Sequence, residues 1–328
     1  MSLRLPTLGL AALCACTAQY DPCFTPPSEI GSLQVLAIRA DPPDVRLNPD
    51  GSAPPVQVTA LVVDPEARST VTLSLGSAAC EPTGTRRCAE APAPAPAGAL
   101  GVHTFTVQPT PELLQRALAA DPLQGYGGLR VQLQLDALES TGVRASGEKL
   151  LLFAQPGDPR AINHGIELAG VRVRRFSHLY HEDTAIPLAP EDEILPPGKT
   201  LMVDVGDPIW LTPVLAPGAG ATEALETYQV ADLSGRTVSL QETVTYSFYD
   251  AAHGVLSDAT GTEPVSAPPQ GLTSYRYLKY GGGDSLIWIV ARDSRGAQAW
   301  MEVPVRANDL RTCWELHSAC PRLEFGCL

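Results

Sequence analysis

The chain has 328 residues and a formal net charge of −13 at pH 7, with 31 prolines, 28 glycines and eight cysteines. Its length suits two domains of about 150 residues each. An acidic surface repels the phosphates of nucleic acids and of anionic membrane faces, so the charge argues against a nucleic-acid partner.

Residues 1–15 have the features of a secretory signal peptide. One cation, Arg4, precedes a short apolar run that ends in small residues. The run is shorter than the ~20 residues that a membrane-spanning helix needs, and no later stretch of the sequence is comparable. We therefore expect residues 1–15 to direct export and then to be removed.

The stretch Leu13-Cys14-Ala15-Cys16 resembles the lipobox of bacterial lipoproteins. The resemblance implies cleavage before Cys16, acylation of that residue with chains such as palmitate, and anchoring through the lipid. Cys14 fits less well, because it would place Leu13 where a small residue is needed before the cut. An Asp at the position of Thr17 commonly keeps such proteins in the inner membrane, so Thr17 favours the outer membrane or cell surface. The alternative is secretion without a lipid.

Six cysteines remain in the exported chain: Cys23, Cys80, Cys88, Cys313, Cys320 and Cys327. An even number in an exported protein predicts disulfide bonds. Cys80 and Cys88 flank a turn-rich segment and are expected to pair. One of the three C-terminal cysteines must then reach Cys23 if all are paired. The alternative is a zinc site with His317, but the short paired spacing typical of zinc clusters is absent.

The exported chain is predicted to begin with the lipidated Cys and a proline-bearing tether, residues 16–31. A first domain follows at residues 32–155. Its strand signals are β-branched or alternating apolar stretches, at 33–38, 56–63, 70–75, 103–108, 129–135 and 149–154. The Ala/Pro run 91–99 is too poor in hydrogen-bond donors to predict a strand.

The first domain also contains the one predicted helix. Thr110-Pro-Glu supplies an N-cap, a proline in the first turn and an early acidic residue. Apolar residues then recur at helical spacing until Asp121-Pro122 ends the helix. The last two strand signals of this domain flank the turn Ser140-Thr-Gly-Val and predict a hairpin.

Gln155-Pro-Gly-Asp-Pro159 is the predicted domain boundary, because two prolines and a glycine separate apolar stretches. A second domain is expected at 160–306, followed by a cysteine-rich tail at 307–328. Its strand signals lie at 166–173, 201–205, 207–215, 241–249, 274–280, 285–291 and 297–305. Asp293-Ser-Arg-Gly296 predicts a hairpin between the last two.

Each half contains an apolar strand that holds a Thr and closes on Pro, and each ends in an apolar hairpin. Short strands with regular turns predict an all-β protein of two tandem antiparallel β-sandwich domains, with one short helix in the first. The closing strands around Trp288 and Trp300 resemble those of bacterial immunoglobulin-like domains. The whole layout resembles uncharacterised surface lipoproteins of myxobacteria, a resemblance that implies no known activity.

The densest polar cluster is His178-Leu-Tyr-His181 with the following Glu182 and Asp183. Two histidines three apart with carboxylates are able to bind a divalent metal. The alternative without a metal is a solvated loop between two strands of the second domain. We prefer the loop, because the metalloprotease pattern with Glu beside the first His is missing. No cofactor is expected.

Five aromatic residues near the C-terminus invite two interpretations: Tyr275, Tyr277, Tyr280, Trp288 and Trp300. Aromatic faces stack on the apolar faces of sugar rings, so these side chains are candidates for a sugar platform. Alternating aromatic residues more often fill a sandwich core or form cross-strand pairs, which is the interpretation we prefer.

The sequence contains neither a nucleophile elbow nor a phosphate-binding loop. We therefore expect a non-enzymatic, envelope-anchored lipoprotein whose β-sandwich modules bind a ligand or have a structural role at the cell surface. Its expected partners are the membrane, through the lipid, and an envelope protein or polysaccharide. The alternative of another class is a metal-dependent hydrolase or metal-binding protein that uses His178 and His181.

Overall fold

A computed structural model describes residues 28–65, 73–80, 95–98, 100–121, 125, 127–156, 162–175, 178–181, 184–187, 191–232, 234, 236–251, 253–263, 271–279 and 282–308. Strands account for most of these residues, and the described part of the chain has a single helix. The predicted all-β class is therefore confirmed. No helix within these ranges is long and apolar enough to cross a membrane.

The described elements of the first sandwich are β1 (Gln34–Asp41), β2 (Asp44–Arg46), β3 (Val56–Val63), β4 (Leu73–Cys80), β5 (Ala95–Gly98), β6 (Gly101–Val107), α1 (Pro111–Ala120), β7 (Leu129–Glu139) and β8 (Arg144–Ala154). Sheet I has the strand order β1-β3-β6, and sheet II has the order β2-β8-β7-β4-β5. Neighbouring strands are antiparallel, except that β2 is parallel to β8. The inward faces of both sheets and of α1 enclose one apolar core, drawn from residues 33 to 153.

Helix α1 begins and ends where its capping residues predict. The Thr110 hydroxyl accepts a hydrogen bond from the Leu113 amide at 3.3 Å, and Asp121 follows the last turn. Such a cap satisfies an amide that has no partner within the helix. The predicted hairpin of β7 and β8 is also confirmed. Its turn needs Gly142, because a φ of 93° favours glycine.

The expectation that the Ala/Pro run 91–99 forms no strand is wrong for part of that run. Strand β5 pairs with β4 at the edge of sheet II. An edge strand pairs on one side only, so prolines are tolerated there. The shortage of amide donors is therefore no obstacle to a short edge strand.

The described strands of the second sandwich are β9 (Ile166–Arg175), β10 (His178–His181), β11 (Thr184–Pro187), β12 (Glu191–Leu195), β13 (Leu201–Val203), β14 (Ile209–Pro217), β15 (Thr227–Ala231), β16 (Thr237–Gln241), β17 (Val244–Asp250), β18 (Gly254–Leu256), β19 (Thr260–Glu263), β20 (Thr273–Tyr277), β21 (Gly283–Asp293) and β22 (Gln298–Ala307). Sheet III has the order β12-β9-β14-β20-β18, and sheet IV has the order β13-β22-β21-β17-β19. Strands β10–β11 and β15–β16 form separate hairpins. Sheets III and IV enclose a second core, drawn from residues 166 to 307.

Two segments for which no strand is predicted contain strands. The region of His178, expected to be a solvated loop, forms the hairpin β10–β11, and β12 follows it and pairs with β9. The region between the strand signals 241–249 and 274–280 supplies β18 and β19. Strands β12, β18 and β19 all lie at sheet edges. Edge strands need not show the apolar alternation or continuous apolar runs by which buried strands are predicted.

Sheet I is buried on both faces at one end of β3. Alternate residues from Val56 to Val62 belong to the first core, whereas Leu61 and Val63 belong to a third apolar cluster shared with β21. Burial of both faces explains why Ala60–Val63 is continuously apolar instead of alternating. Sheets I and IV therefore meet at a joint between the two sandwiches.

Candidate functional site

The candidate site is the joint between the two sandwiches, and its centre is apolar. The buried residues of this centre come from both sides of the joint: Ile30, Leu36, Ala37, Leu61, Val63, Trp288 and Val290. Removing such side chains from water stabilises the joint by roughly 25 cal/mol for each Å² of apolar surface. At the margin, the Arg39 guanidinium lies 5.4 Å from the centroid of the Trp300 ring, a cation–π distance.

Two side chains of the second sandwich bond directly to the backbone of β1. The Gln298 side-chain carbonyl accepts a hydrogen bond from the Ile38 amide at 3.0 Å. The Arg292 guanidinium donates to the Leu36 carbonyl at 2.9 Å. Strand β1 is an edge of sheet I, so its outer backbone groups need partners from elsewhere. Because the second sandwich supplies them, the lateral position of one sandwich on the other is fixed.

Arg295 is the centre of a buried ion network at one side of the joint. Its guanidinium lies 3.1 Å from the carboxylate of Asp44 in the first sandwich, 3.3 Å from Glu242 and 3.5 Å from Glu226. It also stacks 4.6 Å from the centroid of the Tyr228 ring. The side chain of Arg295 is 10% exposed and that of Glu242 is 0% exposed, so water screens these charges little. A planar guanidinium with five donors is suited to holding several carboxylates at once.

Asn163, in the segment that connects the sandwiches, belongs to the same network and is buried. Its backbone amide donates to the Asp44 carboxylate at 3.1 Å, and its side-chain amide donates to the Asp293 carboxylate at 3.1 Å. The Asp293 carboxylate also accepts hydrogen bonds from the backbone amides of Arg295 and Ala297. The connecting segment, strand β2 and the turn between β21 and β22 are therefore held by two carboxylates.

Lys149 of β8 adds a second buried cation and is 5% exposed. Its ammonium group donates a hydrogen bond to the backbone carbonyl of Gly296, in the turn between β21 and β22. Burial lowers the pKa of Lys149 to about 8, although the charge of Asp293 acts in the opposite direction. Lys149 thus links the two sandwiches, while its own charge costs free energy at neutral pH.

The carboxylate of Glu242 is subject to opposing effects. Burial raises its pKa, whereas a hydrogen bond from the Glu226 amide and the charge of Arg295 lower it. That hydrogen bond is 3.0 Å long. The carboxylates of the network face cations or amide donors, so the arrangement is chemically suited to holding two domains in one orientation.

A further polar cluster joins the N-terminal segment to the second sandwich. The Ile30 amide donates to the Asp250 carbonyl at 2.9 Å, and the Asp250 amide donates to the Ser28 carbonyl at 2.8 Å. The Asp250 carboxylate accepts hydrogen bonds from the amides of His253 and Gly254. Burial raises the pKa of Asp250, and these hydrogen bonds lower it. The end of the predicted tether is therefore packed against sheet IV from Ser28 onward.

Most site residues predicted from the sequence lie outside the described residues: Cys16, Cys23, Cys88, Cys313, Cys320 and Cys327. Cys80 ends β4, and His178 and His181 are the first and last residues of β10, but only the backbones of these three are described. Within the described ranges, no group of three or more His, Cys, Asp or Glu residues is able to hold a metal ion. Lipidation, disulfide pairing and metal binding at the named positions stay predictions.

The sugar platform predicted as one alternative for the C-terminal aromatic residues is not formed by those that are described. Tyr275 and Tyr277 are fully buried in the second core, and Trp288 is buried in the joint. Trp300 is partly buried at the margin of the joint, and Tyr280 lies outside the described residues. These rings fill cores, as the other alternative predicted.

The joint itself was not predicted, although one signal for it is present in the sequence. Lys149 is in phase with Leu151 and Phe153, which are buried in β8. A lysine in phase with core residues indicates a buried partner, since lysine is almost never fully buried unless paired. The sequence around Asp293 and Arg295 predicts only a turn. Asp44, the ion-pair partner of Arg295, is 251 residues away in the sequence, so no local pattern indicates the pair.

No protein-family model matches the chain. No curated protein sequence matches it. Its fold is similar to parts of several solved structures, including a red sea bream transglutaminase (11% identity, TM-score 0.25) and dimeric latent PorU from Porphyromonas gingivalis (12% identity, TM-score 0.23). A third is the native conformation of E. coli alpha-2-macroglobulin (9% identity, TM-score 0.25).

These alignments cover 84%, 85% and 84% of this chain, but only 31%, 24% and 17% of the respective proteins. The chain therefore spans less than a third of the length of each. With TM-scores this far below 0.5, the similarities identify neither a family nor an activity.

Proposed function

We propose that this chain is a non-enzymatic envelope lipoprotein whose two β-sandwich modules form one rigid unit that presents a binding surface outside the cell. The observation that carries the proposal is the buried network of Arg295, which joins carboxylates of both sandwiches. A surface that spans or orients two modules needs a fixed joint between them.

The physical cost of opening the joint supports rigidity. Separation would expose the apolar centre around Trp288 and would part Arg295 from Asp44 of the first sandwich. Domains within a chain move relative to one another by default unless their interface is large and hydrophobic. Here an apolar centre and buried ion pairs both favour the closed arrangement.

The lipid-anchored part of the proposal rests on the sequence around Cys16. The packing of Ser28 and Ile30 against Asp250 adds a geometric consequence. Only residues 17–27 then separate the lipidated position from the folded unit. At no more than ~3.6 Å per residue, the twelve steps from Cys16 to Ser28 allow the unit to stand at most about 43 Å from the anchor. The proposed module is therefore held close to the membrane.

Anchoring is tested by replacing each candidate cysteine. The Cys16→Ala protein is expected in the soluble exported fraction, because it lacks the proposed site of lipidation, whereas Cys14→Ala remains in the membrane fraction. Fractionation and labelling with a palmitate analogue give the readout. Membrane retention and label in Cys16→Ala, or release of Cys14→Ala, would show that the anchor has been placed at the wrong residue.

Rigidity is tested by a distance measured across the joint. Ketone-bearing amino acids introduced at the exposed positions Val143 and Lys199 carry nitroxide labels, which leaves the cysteines untouched. Pulsed electron paramagnetic resonance is expected to give one narrow distribution of the distance between the two labels. Arg295→Met is expected to broaden it, whereas Arg306→Met is not, because Arg306 pairs only at the exposed surface with Asp284. A broad distribution in the unmodified protein would contradict a rigid presenting unit.

A further inference from the structure

The outer face of sheet III carries a tryptophan at its centre. Ile209 and Leu211 of β14 are buried in the second core, so Trp210 between them lies on the opposite face. Its side chain is only partly buried. In the register of the sheet, Trp210 lies opposite Arg174 on one side and Ser274 on the other. A flat aromatic surface is thus framed by a cation and a hydroxyl.

Arginines surround this tryptophan on neighbouring strands. Arg172 lies opposite Thr212, the next residue of β14 on the same face as Trp210. Arg276 follows Ser274 on the same face of β20. Arg172 and Arg276 are both exposed, and neither guanidinium group donates a hydrogen bond to the described residues, although the charge of Arg172 helps to lower the pKa of Asp192.

Arg174 differs from the other two, because its guanidinium donates to both oxygens of Asp192, at 2.6 and 2.8 Å. The face around Trp210 therefore carries more positive than negative side chains, in a chain whose net charge is −13. Acidic groups farther away than a Debye length of about 8 Å act on this face only weakly at physiological salt.

One side of the tryptophan is bounded by backbone. A Cβ atom added at Gly271 would lie 3.1 Å from the Trp210 Cβ and 3.2 Å from the Thr212 hydroxyl oxygen. The φ of Gly271 is +145°, so a side chain there is disfavoured for conformational reasons as well. The close approach of Gly271 restricts the space beside the Trp210 side chain, and a restrained ring is a better recognition element than a mobile one.

From this arrangement we infer that the outer face of sheet III, around Trp210, binds an anionic polysaccharide. The indole face supplies stacking for a sugar ring, which has an apolar face. The Thr212 and Ser274 hydroxyls supply hydrogen bonds, and the guanidinium groups of Arg172 and Arg276 match carboxylate or sulfate groups in a bidentate manner. This inference rests on the proposed function. It names the class of ligand that would bind to the surface of the second sandwich.

The experiment uses the full exported chain in detergent, with polygalacturonate as the probe and neutral dextran of similar length as its control. Titration calorimetry and indole fluorescence give the affinity. The unmodified protein is expected to bind polygalacturonate, with an affinity that falls as salt increases, and not to bind dextran. Trp210→Ala is expected to weaken binding at least tenfold.

A second variant tests the inference even if Trp210→Ala fails to fold. The double variant Arg172→Gln, Arg276→Gln changes only exposed side chains. It is expected to weaken binding several-fold and to reduce the dependence of the affinity on salt. Arg306→Gln, an exposed arginine on sheet IV, is the matched control and is expected to bind normally. Neither Trp210→Ala nor the Arg172→Gln, Arg276→Gln variant should alter membrane fractionation or the distance across the joint. A failure to bind the polysaccharide is therefore distinguishable from a failure of the proposed function.

Three outcomes would overturn the inference. They are the absence of saturable binding to polygalacturonate by the unmodified protein, equal binding to dextran, and binding that is unchanged in the Arg172→Gln, Arg276→Gln variant. Capture of an envelope protein through the same face, without glycan binding, would assign the surface to a different class of partner.

Discussion

The Arg295 guanidinium lies 3.1 Å from the Asp44 carboxylate, although 251 residues separate the two positions. Each belongs to a different sandwich, and the side chain of each is about one-tenth exposed. Asp44 also accepts a hydrogen bond from the backbone of Asn163, in the connecting segment. The pair therefore reports whether both sandwiches and the segment between them are assembled.

Replacement of Arg295 by Met is expected to destabilise the protein by about 3–5 kcal/mol at pH 7, because it leaves the carboxylates of Asp44 and Glu242 buried without their cation. Urea unfolding of Arg295→Met, Asp44→Asn and the double variant forms a thermodynamic cycle. The double variant is expected to lose less than the sum of the two single losses. Arg306→Met, which breaks an exposed pair, should cost less than about 1 kcal/mol. Additive losses in the cycle would contradict a direct coupling across the joint.

The buried ammonium of Lys149 should give the protein a distinctive alkaline stability. Its pKa is about 8 in the folded state, lowered mainly by burial, and about 10.5 when unfolded. Between these values the unfolded chain binds more protons than the folded one, so the free energy of unfolding rises with pH. The slope approaches about 1.4 kcal/mol per pH unit for one such group. Below pH 8 this gain is absent.

Lys149→Met removes the titrating group. The stability of the unmodified protein relative to this variant is therefore expected to increase by about 1–2 kcal/mol from pH 8 to pH 9.5, measured by urea unfolding. Lys199→Met, at an exposed position, is the control and should show no such trend. A pH-independent difference between the unmodified protein and Lys149→Met would mean that Lys149 is not buried in solution.

At acidic pH, Asp250 should make the free energy of unfolding fall as the pH rises, which is the opposite of the effect of Lys149. Burial raises the pKa of Asp250, so the folded state binds more protons than the unfolded state just above pH 4. The contribution of Asp250 to stability is thus greatest at low pH and is lost as the pH rises through its folded-state pKa. Nearby, burial and then the charge of Asp250 raise the pKa of Glu29, which adds to the same trend.

Asp250→Asn keeps an oxygen that is able to accept from the amides of His253 and Gly254 but does not ionise. Relative to this variant, the unmodified protein is expected to become less stable as the pH rises from 4 to 7. Chemical unfolding at several pH values measures the difference. If the unmodified protein instead gains on the variant over this range, Asp250 has a lowered pKa and the assignment of its environment is wrong.

The sequence predicts elements whose signal is local, and fails where the partner is distant. Helix α1 was predictable because Thr110 and Asp121 lie at its own ends. The hairpin β21–β22 was predictable because Gly296 lies between two apolar stretches. The charge partners of Arg295 were not, since Asp44 lies in another domain and a surface arginine has the same local pattern. For Trp210 the sequence predicts only a strand at 207–215, because the side of a strand that faces solvent depends on which sheet covers it.

The positions of the two ends of the described chain bear on the disulfide prediction. Asp250 lies beside Ser28 and Ile30 and opposite Ile287, and Ile287 lies opposite Val303, near the end of β22. With strands ~4.8 Å apart and residues ~3.3 Å apart, Ser28 and Asn308 are separated by about 25 Å. Cys23 and Cys313 are each five residues farther out, and five extended residues span up to ~17 Å. A bond between these segments is therefore within reach without disturbing either sandwich.

We accordingly predict that peptide mapping without reduction finds Cys80 joined to Cys88, and Cys23 joined to one of Cys313, Cys320 and Cys327. Such a bond closes a loop of nearly the whole exported chain and restricts the unfolded ensemble, which contributes up to ~5 kcal/mol on loop-entropy grounds. Cys23→Ser should therefore unfold at a lower urea concentration than the unmodified protein, and reduction should abolish the difference between them. A free thiol at Cys23 in the exported protein, or Cys23 joined to Cys80 or Cys88, would rule out this connection between the two ends of the chain.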